Sequence, residues 1–84
     1  MLEKRLSDLN IGEKGTIKMI SGDVVLKRKI REMGLIVCAQ VEVDKIAPFG
    51  DPMGIVVQDY HLALRKREAA NILVEVSDES GSVG

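Results

Sequence analysis

Apolar residues recur along this chain with two different periods. Thr16 to Ile20 alternates, setting Ile17 and Met19 on one face and Thr16 and Lys18 on the other, with Ile20 as an apolar exception. Val41 to Ile46 alternates again, with Val41 and Val43 inward and Glu42 and Asp44 outward. Both stretches predict half-buried strands. Ile55 to Gln58 and His61 to Arg65 predict two more, joined across Asp59-Tyr60 by a tight hairpin in which Asp59 takes positive φ and Leu62 and Leu64 face the core. Ile72, Val74 and Val76 mark the inner face of a last strand. Between Asp23 and Met33 the period changes: Leu26, Ile30 and Met33 recur at i, i+4 and i+7, which predicts one amphipathic helix. Ser21 or Asp23 is placed to cap its start, and Gly34 to end it in the left-handed region with Leu35 packing back on the last turn.

Between these segments the chain is punctuated. Leu6, Leu9 and Ile11 form a lead-in to the turn Gly12-Glu13-Lys14-Gly15, and Ala47 to Gly54 holds too many prolines and glycines for regular structure and reads as a shaped loop. Lys66 to Asn71 contains good helix formers but is too short for more than one or two turns. Five short strands with a helix inserted early point to a mainly β fold, a small five-stranded barrel with the helix over one open end and a short C-terminal helical turn. Closing the sheet removes its edges, which favours the barrel over an α+β sandwich.

A length of 84 residues allows one core, expected over 1–76, followed by a Ser/Gly-rich tail, 77–84, expected to be flexible. No apolar run approaches the roughly 20 residues of a membrane span, and Met1 to Arg5 is charged where a secretory signal would be apolar. The lone Cys38 cannot close an intramolecular disulfide. A cytoplasmic location is the expectation. The net charge of −1 argues against a strongly basic nucleic-acid binder, and all the cations lie at or before Arg67. Phe49 and Tyr60 are the only aromatics, which removes base-stacking platforms and the aromatic grooves that receive proline-rich peptides.

Little in the chain suggests chemistry. One histidine and one cysteine cannot build a Cys/His metal cluster, and a hard-cation site needs Asp44, Asp51 or Asp59 gathered by the fold. His61 reads as a solvated strand residue, and Cys38 as a small turn or core residue. Gly12 and Gly15 lack the Lys-Ser/Thr and helix of a phosphate loop, and no serine has a nucleophile setting. The expectation is a non-enzyme with no cofactor. What remains is surface. Lys27, Arg28, Lys29 and Arg31 make a basic helix face, and Phe49 stands in a small-residue loop, either folded onto the barrel mouth or offered to a partner. Asp51, within Gly50-Asp51-Pro52, belongs to a recognition loop or a simple turn.

Three runs arrive in a recognisable order: Arg31-Glu32-Met33-Gly34-Leu35, Ala47-Pro48-Phe49-Gly50-Asp51-Pro52, and Leu62-Ala63-Leu64-Arg65-Lys66-Arg67-Glu68-Ala69 closing on Ile72 to Val76. Together they resemble the FeoA family of ferrous-iron transport accessory proteins, from roughly Leu6 to Val76. The resemblance implies an SH3-like barrel of the bacterial cytoplasm that works with FeoB, a ferrous-iron permease carrying a cytoplasmic GTPase domain, and it brings the family-level association with transition metal ions. The membrane is then reached only through the permease, nucleic acid is not a partner, and self-association is left open. The docking residues so expected are Lys27, Arg28, Arg31, Phe49, Asp51, Met53 and Arg65. The same fold occurs as the C-terminal domain of metal-dependent transcriptional repressors, which supplies the alternative of a freestanding regulatory domain. The chain departs from the family pattern where proline or glycine is usual, at Ile11, at Val37-Cys38 and at Asp59, so these turns are expected to be less rigid or differently shaped.

Overall fold

Alternating segments pair as they should when one face is apolar, and they do so in a single antiparallel sheet. The computed structural model describes residues 2–76; the tail expected over 77–84 lies outside them. The elements are β1 (Leu2–Arg5), β2 (Lys14–Ile20), α1 (Val24–Glu32), β3 (Gln40–Ile46), β4 (Met53–Val57), β5 (Tyr60–Leu64), α2 (Lys66–Ala69) and β6 (Ile72–Val76), with a 3₁₀ turn at Leu6–Asp8. The strand order is β1-β6-β2-β3-β4-β5. Ile17, Val43, Ile55, Leu64, Ile72 and Val74 from the strands meet Leu6, Ile30 and Leu35 in a core fully shielded from water. The sheet has six strands, one more than the pattern predicts. The extra one is β1, which pairs Leu2 with Val76 and Arg5 with Leu73. Its sequence, Leu-Glu-Lys-Arg, carries one apolar residue and so shows no alternation.

The end of α1 follows the expectation closely. Asp23 caps the start, its Oδ1 accepting from the Leu26 amide at 2.8 Å. At the other end Gly34 has φ +94, its amide donates to Arg31 O at 2.9 Å, and the Leu35 amide donates to Ile30 O at 3.3 Å. These two bonds define a Schellman stop, with the buried Leu35 as its apolar contact. Ile30 is buried, and Leu26 and Met33 are half-buried against the core.

Two expectations about register are corrected. Ile17 pairs with Val74 but Met19 pairs with Leu73, so Lys18 is the extra residue of a β-bulge. Met19 therefore turns outward, 53% exposed, and Ile20 turns in against the core. The hairpin turn lies one residue earlier than the spacing suggests, because Val57 pairs with Tyr60. Its central residues are Gln58 (φ 49) and Asp59 (φ 72), the double left-handed pair that matches strand twist, and Tyr60 opens β5. Cys38 is left-handed too, at φ 77, and exposed. At Cys38 and Asp59, where the resemblance leads one to look for glycine, the positive φ is present with a side chain on it.

Candidate docking surface

The basic residues of α1 split into two groups. Lys27 and Arg31 are four apart, and Arg28 and Arg31 three apart, so these three share the outer face; Arg28 and Arg31 are exposed and Lys27 half-buried. None of the three forms an ion pair among the described residues. Lys29 leaves the patch. Its Nζ lies 2.7 Å from Oε2 of Glu68, whose side chain is only 3% exposed.

Glu68 is the residue that the sequence reading missed. Its Oε1 accepts from the Arg65 amide at 3.0 Å, capping α2 from inside, while Oε2 holds α1 through Lys29. The Lys29 hydrogen bond, helped by the Arg65 amide and opposed by desolvation, keeps its carboxyl below the usual range. The available signal was the spacing from Arg65 to Glu68, half of a capping box, but the missing Ser or Thr at its start hides it.

The β3–β4 loop is anchored to the same helix. Asp51 Oδ1 accepts from the Lys66 amide at 2.9 Å, and the Ala47 amide donates to Pro52 O across the loop base at 3.1 Å. The Asp51-Pro52 peptide is cis. Phe49 stands at the tip, 96% exposed. It does not fold onto the barrel mouth. Met53, expected at the surface, is 2% exposed and opens β4; with Ile55 and Val57 it forms the inward face of that strand, a period that the preceding prolines and glycines obscure. Met53 therefore cannot touch a partner without the barrel opening. Arg65 is exposed at the N-cap of α2. The basic face of α1 and the Phe49 loop are joined through α2, one by Lys29–Glu68 and the other by Asp51.

The remaining titratable groups are scattered. His61 Nδ1 lies 3.1 Å from Asp44 Oδ2, Asp51 caps α2, and Asp59 sits in the hairpin. Among the described residues no three of His, Cys, Asp and Glu converge on one point. Glu13 accepts from the Asn10 amide at 2.7 Å and pairs with Lys4 at 3.3 Å; the amide bond, with the lysine's help and against a desolvation cost, lowers its carboxyl from the usual value. Tyr60 Oη donates to Met33 O at 3.4 Å, so β5 touches the end of α1. No helix among the described residues is long and apolar enough to cross a membrane.

Residues 4–76 match the FeoA domain. The chain belongs to the FeoA family. Among its relatives is the Fe(2+) transport protein A/Fe(2+) transporter FeoB fusion protein of Porphyromonas gingivalis, 36% identical over 72 residues that cover 86% of this chain. This chain spans only 8% of that protein's length. The solved structure of a FeoA-like protein from Clostridium acetobutylicum is 34% identical with a TM-score of 0.83, over 90% of this chain and 88% of that one. A manganese-dependent transcriptional repressor superposes with a TM-score of 0.82 at 20% identity, over 89% of this chain and 42% of that one, a likeness of fold alone. The barrel is SH3-like.

Proposed function

We propose that this FeoA-family chain is a cytoplasmic accessory protein of ferrous-iron uptake that docks on the GTPase part of a FeoB-type permease. The observation that carries the reading is the Porphyromonas gingivalis relative, in which a FeoA-like segment is named as fused to a FeoB transporter. Fusion holds two partners at high effective concentration, a gain only where they meet. On this reading Lys27, Arg28, Arg31 and Arg65 steer the encounter, and Phe49 supplies an apolar anchor presented by the Asp51–Lys66 bond. Such a module needs no reacting group of its own.

The test is binding of the full chain to the intact permease and to a permease lacking its GTPase domain. Binding to the first and not the second is expected. Binding to neither overturns the reading, and equal binding to both moves the contact elsewhere on the permease. A regulatory barrel akin to repressor C-terminal domains is the second reading, supported by the repressor's shared fold; it predicts capture of a DNA-binding protein in place of the permease.

A further inference from the structure

A groove between β2 and the segment after α1 has apolar walls and a cationic rim. The bulge at Lys18 turns Met19 outward. Beyond the helix stop, Leu35 goes into the core and the chain turns at Cys38, which leaves Ile36 and Val37 in solvent. Met19, Ile36 and Val37 are 53%, 50% and 52% exposed, and with Ile20, Lys18 and Arg31 they line a groove of about 290 Å³. That lies just under the roughly 300–1,000 Å³ of small-molecule clefts and suits a few side chains of a peptide.

The backbone beside it has a neighbour on one side only. Register pairing of β2 with β3 stops at Thr16 and Gln40; one more exchange follows, Ile17 N to Ala39 O at 2.9 Å and Cys38 N to Ile17 O at 2.8 Å. Met19 and Ile20 then pair with β6 alone. The rim charges are both positive, since no acidic residue lines the groove. Lys18 reaches Glu75 only at 3.8 Å, and Arg31 is exposed with no ion pair among the described residues.

We infer that this groove receives a short, extended, acidic segment of a protein partner, its aliphatic side chains against Met19, Ile36 and Val37 and its carboxylates against Arg31 and Lys18. Charge complementarity fixes the class of occupant, and a half-open strand suits an extended chain over a helix. Arg31 is shared with the proposed permease surface, but the groove is defined by its own chemistry and stands or falls apart from the permease.

The probe is the capped peptide acetyl-Glu-Asp-Val-Leu-Val-Asp-Glu-amide, titrated into the isotopically labelled full chain with amide shifts as the readout. Shifts concentrated on Lys18 to Ile20 and Ile36 to Val37 are expected, with affinity falling at least tenfold in Met19→Asp and in Arg31→Glu, and falling with salt. The same peptide with lysine for each acid should not bind. Shifts elsewhere, equal binding of the lysine peptide, or no saturable shift up to about 1 mM would overturn the inference. Val37→Asp is the second variant, and thermal unfolding checks that each still folds. Pull-down of the permease by the wild-type chain separates the two readings: peptide binding without permease binding removes the permease alone, and permease binding by a wild-type chain that shows no saturable peptide shift removes the groove alone.

Discussion

Two carboxylates cap the same short helix, and their surroundings differ. Glu68 reaches the Arg65 amide from within α2 and is 3% exposed, with Lys29 of α1 on its other oxygen. Asp51 reaches the next amide, that of Lys66, from the β3–β4 loop and is open to water. The bonds are similar in length, so length does not rank them. Removing the buried Glu68 side chain empties a shielded site between α1 and α2 and takes away a charge-assisted bond that ties the two helices together, whereas an exposed cap is readily replaced by solvent. The first bond therefore belongs to the fold, and the second sets how a loop is presented.

The contrast is broken most directly at Glu68. Glu68→Ala should cost about 2 kcal/mol of unfolding free energy, the scale for a hydrogen bond to a charged group lost from a buried site. Urea denaturation measures it, and a loss as small as that of Asp51→Ala would make the two caps equivalent. Next is Phe49→Ala. With 96% of the residue exposed, stability should stay within about 0.5 kcal/mol of wild type, as for ordinary surface changes, while permease affinity should fall by on the order of 2 kcal/mol if the ring fills a pocket. A large stability loss would place the ring in the core after all.

Acid sharpens the same comparison. The carboxyls of Glu68 and Glu13 are held below their ordinary value of 4.5 in the folded chain. The stability each contributes is present above that value and is lost as pH falls through the lowered folded-state pKa. Glu68→Gln should flatten the acid limb of stability against pH, as read by urea denaturation across the acid range. The smallest effect is that of Asp51→Ala, about 0.5–1 kcal/mol for an exposed helix cap, with altered backbone amide signals in the Phe49 loop as its clearer sign.

Much of this architecture was legible because one face of each strand is apolar and one helix carries both of its stop signals. Gly34 and Leu35 announced the Schellman end, and both do what their positions suggested. β1 was invisible, since a short edge strand with one apolar residue has no period. The bulge was hidden for a different reason: Thr16 to Ile20 fits simple alternation, and only the pairing with β6 shows that Lys18 is extra. Tyr60 was assigned to the turn from the two-residue gap between the runs ending at Gln58 and starting at His61, and the pairing of Val57 with Tyr60 moves the turn to Gln58-Asp59, both at positive φ to suit strand twist. For the docking surface, exposure of Arg28 and Arg31 could be anticipated from residue type, whereas that of Phe49 could not, since a large apolar ring in a small-residue loop is equally able to fold onto the barrel mouth. The division of the cations could not, since Lys29 is drawn away by a glutamate nearly forty positions along the chain.

Within a strand, losing one residue is ordinarily ruinous, because every later side chain changes face. β2 reverses that rule at one position. Ile17 and Ile20 both point inward across Lys18 and Met19, so a chain lacking Lys18 would regain plain alternation with Ile17 and Ile20 still inside and Met19 still out. Length variation in this family should therefore gather at this step of β2, and a single-codon deletion there should be tolerated where the same deletion two residues earlier would turn the strand inside out.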